Sequence, residues 1–199
     1  MDNKLWIALG VVALLIFCFG CVPLATFGAT QGNLNASQQV VLSTQAKYEG
    51  AKTIVAQKID GAFNLADRQI AHEDRAYKAL ADARKAFNDA TAAGNDPEIV
   101  STAGAFNLQF KAIAESNPAF ASGPVVQQAM NTMEEAVNEI FTAFRDNQTA
   151  VQAYNTYRRS LYLPVIVGNI LGYPESYKYY QGTGKDFDIK QHIPEAPGK

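Results

Sequence analysis

Two cysteines stand three apart at Cys18 and Cys21, the C-x-x-C spacing of dithiol redox pairs and of half a zinc site. A redox pair needs a polar helix N-terminus to hold one sulfur as thiolate, and zinc needs two further ligands. The surrounding residues, LWIALGVVALLIFCFGCVPLATFGA, supply neither, so both cysteines read as small hydrophobes. His72, Glu73 and Asp74 form the one acid–base cluster. They stand in HEDRA and not H-E-x-x-H, so no second histidine lies one turn on to complete a zinc pair. Glu134, Glu135 and Glu139 bring three carboxylates together, but a hard cation would need a facing acidic partner, so a solvated helix face is the better reading. Asn147-Gln148-Thr149 fits a glycan acceptor but falls inside a helical pattern. No glycine-rich phosphate loop follows a strand. No serine or cysteine outside the apolar stretch sits in a recognisable pattern with a base. The residues therefore predict no catalytic, cofactor-binding or metal site, and no cofactor.

Composition narrows the partner classes. The 199 residues carry a net charge of −2 with no run of like charge, which excludes the clustered Lys and Arg that neutralise nucleic-acid phosphates. Two histidines and two cysteines leave few transition-metal ligands.

After a short flank at residues 1–4, residues 5–29 carry no charged side chain. A bilayer core takes about 20 apolar residues at about 1.5 Å each, so this stretch is long enough for a transmembrane anchor. Trp6 stands at one edge, where its amphipathic ring suits the headgroups, and Pro23 near the other. The competing readings are a cleaved signal peptide and a lipoprotein signal acylated at Cys21. Gly20 is the small residue that an acylation site needs. Cys18 and Phe19 fit it poorly, and apolar character continues past Cys21 to Phe27, as a span requires. Lys4 precedes the stretch and Lys47 is the next cation, so the positive-inside rule favours a cytoplasmic N-terminus and a helical domain outside the cytoplasm.

Residues 30–37 are small and polar, either a linker or a continuation of the first helix. From there to Ala93 the chain has no proline. Apolar residues recur at Val41, Tyr48, Val55, Ile59, Ala62, Ala66, Ile70, Tyr77, Leu80 and Phe87, in steps of seven, four and three. This is one stripe along a helix, close to a coiled-coil seam, and it predicts a single long helix. Gly94-Asn95-Asp96-Pro97 is a turn in which Asp96 can cap a new helix with Pro97 at its first position. That helix runs from about Glu98 to Glu115, with Val100, Phe106, Phe110 and Ile113 on its apolar face. From Pro124 to Tyr162 a second stripe passes through Val126, Ala129, Met133, Val137, Ile140, Phe144, Val151, Tyr154 and Leu161. Two long stripes joined by a short helical connector predict an all-α fold. An N-terminal transmembrane helix is followed, over residues 38–180, by an elongated antiparallel helical bundle or hairpin.

The tail changes character. Residues 161–173 are apolar but broken by Pro164, Gly168, Asn169 and Gly172, too short and interrupted to span a bilayer. Tyr173, Tyr177, Tyr179 and Tyr180 follow with Lys178. Two readings stand: the segment folds back over the bundle end, or it forms a membrane or subunit contact through Leu163, Val165, Ile166, Val167, Ile170, Leu171, Tyr173 and Tyr177. Residues 181–199, rich in Gly, Pro and charge, read as a loose C-terminal tail.

The order of several short motifs resembles the LemA family of bacterial membrane proteins. His72-Glu73 followed by Ala83-Arg84 and Ala90 is similar to that family's HE…AR…A stretch. The run from Phe110 to Pro118 is similar to its helix ending in a Glu-x-x-Pro turn. Arg145-Asp146-Asn147 with Val151-Gln152-Ala153-Tyr154-Asn155-Thr156 is similar to its Tyr-Asn…Tyr-Asn-Thr helix, ahead of an apolar, proline-containing tail. One departure is plain: the family's Arg-Arg-x-x-Leu-x-Pro-x-Leu block has no counterpart in Gln57 to Leu65, QKIDGAFNL. The resemblance implies an all-helical, membrane-anchored protein without an assigned biochemical activity. The expected function is therefore a non-enzymatic scaffold that touches membrane lipid and self-associates into a homo-oligomer. The alternative is an adaptor or sensor that holds another membrane or soluble protein.

Overall fold

The computed structural model describes residues 22–70, 75–160 and 162–180. Among them are six helices and no strand: α1 (Val22–Gln69), α2 (Arg75–Ala93), α3 (Asp96–Ser116), α4 (Pro118–Ala121), α5 (Pro124–Ser160) and α6 (Tyr162–Leu171). The chain divides into two compact units, a terminal unit drawn from Met1–Leu42 and Thr149–Tyr179 and a bundle unit drawn from Ser43–Gln148 and Tyr180–Lys199.

In the bundle unit, α1, α2, α3 and α5 run alternately up and down. Tyr48 stacks obliquely on Phe144 at 5.5 Å and Asn147 donates to Thr44, which sets α1 antiparallel to α5. Asp60 pairs with Arg84, while Tyr77 meets both Phe63 and Asp67, which sets α2 antiparallel to α1. Next, α2 packs along α3. The Lys111–Glu134 pair ties α3 to α5. The core is apolar and aromatic: Val55, Ile59, Leu80, Phe87, Phe106, Phe110, Met133 and Ile140 are all buried. Phe110 meets Phe106 in parallel at 6.5 Å and Phe120 edge-on at 6.0 Å. Each such side chain contributes about 1.5–3 kcal/mol on burial, so this core supplies the main drive to fold.

One expectation is corrected. The stripe from Val41 to Phe87 does not lie on one helix. It is shared by α1, which ends at Gln69, and α2, which begins at Arg75 and folds back along α1. All ten stripe residues are buried, so the pattern marked the core face of both helices. A straight helix would have left Tyr77, Leu80 and Phe87 in water or in need of another chain. Folding back buries them within this one.

The α2–α3 turn is built as the sequence suggests, with one change of role. Gly94 takes the left-handed conformation (φ 62°), and the amide of Asn95 donates to Ala90 O at 3.1 Å, closing the end of α2. Asn95, not Asp96, occupies the N-cap position of α3, and Asp96 is already helical. Its carboxylate is held elsewhere, as described below.

In the terminal unit, α1 is helical through residues 30–37. Leu34 and Val41 pack with Ala150, Val151, Tyr154 and Val167, and Phe27, Tyr157, Tyr173, Tyr177 and Tyr179 lie against that cluster. No helix of the described residues is long and apolar enough to cross a membrane. Residues 5–21, most of the apolar stretch, lie outside them.

Candidate functional site

Polar side chains gather in two places, one in each unit. In the bundle unit the centre is Asp96, in the first turn of α3, where the helix dipole favours an acid. Its Oδ1 accepts from the Tyr48 hydroxyl at 3.1 Å and from Lys52 Nζ at 3.5 Å, and its Oδ2 accepts from the Tyr180 hydroxyl at 3.2 Å. Lys52 also pairs with Glu49 at 2.7 Å and sits 4.8 Å above the Tyr48 ring. The Tyr180 amide donates to Gln148 Oε1 at 2.9 Å, and its ring lies 6.1 Å from that of Phe144.

Burial, reinforced by the Asp96 charge and hydrogen bond, pushes the Tyr48 phenol far above its ordinary pKa. It is a permanent donor near neutral pH and cannot serve there as a base. The arrangement ties α1, α3, α5 and residue 180 together around one carboxylate. It is a structural knot.

The terminal unit holds a different device. Arg158, in the last turn of α5, is 3% exposed and faces α6. It donates to Pro164 O at 2.9 Å, Val165 O at 3.2 Å and Asn169 Oδ1 at 2.6 Å. Gly168 leaves the room that the guanidinium fills. Beyond α6, Gly172 (φ 72°) turns the chain, and the Tyr173 amide donates back to Gly168 O at 2.9 Å. The returning segment is then pinned on α5. Tyr154 donates to Pro174 O at 2.7 Å, and Asn155 both donates to Tyr177 O and accepts from its amide, each at 2.9 Å. Gln38 donates to the Tyr177 hydroxyl at 3.1 Å. Burial raises the Tyr154 phenol pKa, so it too stays a donor.

The sequence-derived contact residues separate by face. Leu163, Val165, Ile166, Ile170 and Leu171 are exposed on α6, Val167 is fully buried in the unit's core, and Tyr173 and Tyr177 are half-buried in the returning segment. Cys21, Cys18 and His72 with Glu73 and Asp74 lie outside the described residues. Glu134 pairs with Lys111, while Glu135 and Glu139 are exposed. Asn147 is buried against Thr44. Among the described residues no three His, Cys, Asp or Glu side chains converge as a metal site. Sequence reasoning missed Arg158, Gly168 and the Asp96 knot. The one available signal was an Arg-Arg pair standing directly before an apolar run that contains Gly168-Asn169.

This helical architecture accompanies a match to the sequence model of the LemA family over residues 53–190. The chain belongs to the LemA family. The matched region takes in α2 to α6 and most of the bundle unit, with Asp96, Tyr180, Arg158 and Asn155 inside it and Tyr48, Lys52 and Gln38 ahead of it. No curated protein and no solved structure is significantly similar to this LemA chain.

Proposed function

We propose that this LemA protein is a non-enzymatic, membrane-anchored helical scaffold that self-associates on the membrane. The observation that carries the reading is continuity. The uncharged stretch at residues 5–29 leads into α1, which begins within it at Val22 and runs unbroken to Gln69, so one helix joins the anchor segment to the family domain. The polar clusters support the same reading, because Asp96, Tyr48, Arg158 and Asn155 are all engaged in bonds between elements of this chain. Self-association follows from geometry. Copies held in one bilayer meet at high effective concentration, and exposed apolar residues such as Val40, Leu42, Leu108 and Val125 offer contact surface.

Two measurements on the full-length chain test this. Membranes extracted with alkaline carbonate retain the protein if residues 5–29 span the bilayer and release it if they do not. The mass of the detergent-extracted particle, with crosslinking in intact membranes, gives a multiple of the 21.6 kDa chain for a homo-oligomer. Monomer alone by both methods removes the scaffold reading.

A further inference from the structure

Helix α6 is apolar on both sides: Val167 and Pro164 are buried on its inner side, yet a row of large apolar side chains remains on its outer one. Its inner side is held by Val167 in the apolar core and by Arg158 of α5, which reaches the carbonyls of Pro164 and Val165 and the side chain of Asn169, across Gly168. Its outer side is Tyr162, Leu163, Val165, Ile166, Ile170 and Leu171, with Tyr162 88%, Ile166 50% and Ile170 67% exposed. A helix resting on a water-soluble protein has its apolar stripe inward and its charges outward. Here the outer side is apolar too: the one charge α6 meets is Arg158 of α5 beneath it, and no residue between Arg159 and Glu175 carries a charge.

We propose that the outer face of α6 lies in the interfacial layer of a lipid bilayer, flat on the membrane that holds the N-terminal anchor. The inference rests on the anchor reading of residues 5–29 and adds a second, separate lipid contact. Two features select lipid over a second copy of the chain. The first is continuity with the apolar stretch, since Phe27, from its last residues, packs on the same core that holds Val167 of α6. The second is charge. Over residues 22–42 and 149–179 the terminal unit has only Arg158, Arg159, Glu175 and Lys178, whereas the bundle unit carries charges on every long helix. A protein–protein contact retains a polar, charged rim, while a surface facing acyl chains dispenses with one. Arg159 and the Tyr162 ring, at the α5–α6 junction, are the residue types that favour the headgroup level.

The chain has one tryptophan, Trp6, which makes the test direct. The full-length protein is reconstituted in phosphatidylcholine–phosphatidylglycerol vesicles with and without lipid carrying a doxyl quencher near the carbonyl. Wild-type protein reports residue 6 and hence the anchor. In a Trp6→Phe background, Ile166→Trp and Ile170→Trp report the outer face of α6, and Leu108→Trp reports an exposed position on α3. The expected result is about twofold quenching at positions 166 and 170, with emission shifted to shorter wavelength, as for side chains at the headgroup–acyl boundary, and little at 108. Absence of quenching at 166 and 170 overturns the proposal, as does blue-shifted but unquenched emission, which would place another protein on that face. An unquenched Trp6 overturns the anchor reading separately. Each probe exchanges one exposed apolar side chain for another, and an unchanged circular dichroism spectrum verifies the fold.

Discussion

The guanidinium of Arg158 lies against the backbone of Gly168, so close that a methyl group added there would stand 2.7 Å from Nη2. This contact decides how α6 attaches to α5. An ordinary helix glycine gains about 0.5–1 kcal/mol on replacement by alanine, and Gly61→Ala, where the added carbon meets nothing, is expected to do so. Gly168→Ala is expected to do the opposite, expelling Arg158 from three hydrogen bonds at a cost of about 1–3 kcal/mol. In an Arg158→Ala background the clash vanishes, and Gly168→Ala should become neutral or stabilising. A double-mutant cycle by urea denaturation checks this. Additive effects would mean that the two residues do not meet as described.

Asp96 accepts from three side chains on two other segments, so its removal should loosen both. Asp96→Ala is expected to cost about 1.5–3 kcal/mol, the range for hydrogen bonds to a charged group. Tyr180→Phe removes a single bond and should cost about 1 kcal/mol or less. If Asp96→Ala proves as mild as Tyr180→Phe, the cluster is a surface contact and not a knot.

The core faces were legible in the sequence because burial leaves a period. Val100, Phe106, Phe110 and Ile113 of α3 are all fully buried, as are Met133, Ile140 and Tyr154 of α5. The bend after Gln69 was not legible. No proline or glycine stands between Ile70 and Tyr77, and the seven-residue step between them continues the seam whether the helix runs on or folds back. Only the tertiary partners Asp60 and Arg84, or Asp67 and Tyr77, reveal the reversal, and their pairing has no local signature. The two polar clusters were hidden for the same reason. Asp96 and Tyr180 lie 84 residues apart. Arg158 and Arg159 are identical neighbours in the sequence, and only the fold places Arg159 outside and Arg158 within.

The α1–α2 reversal makes its own forecast. Arg84 forms two hydrogen bonds to Asp60 Oδ1, at 3.0 and 2.7 Å, and its guanidinium stacks 4.5 Å from the Phe63 ring. The pair is partly exposed, so Arg84→Ala should cost only about 1 kcal/mol or less and lose part of that effect in high salt. Leu80→Ala, by contrast, empties a fully buried site and should cost about 2–5 kcal/mol. If α2 instead continued straight from α1, Leu80 would not be enclosed within the chain. The substitution would then be nearly silent in a monomeric preparation.

Alkaline pH should weaken the protein through its buried phenols, and Tyr48 gives the clearest case. Burial and the Asp96 charge raise its pKa in the folded state, while in the unfolded chain it returns to about 10. Above pH 10 the unfolded state therefore releases a proton that the folded state keeps. The folded state binds more protons, and stability falls as pH rises. Below pH 10 both states hold the proton and the contribution is constant. The slope from one such group is at most about 1.4 kcal/mol per pH unit. Thermal melts between pH 8 and 11 should show a falling midpoint that begins near pH 10. Tyr48→Phe, which cannot ionise, should lower the midpoint at pH 8 by loss of the Asp96 bond yet flatten the alkaline decline. Parallel curves for the two proteins would mean that Tyr48 is open to solvent and not enclosed beside Asp96.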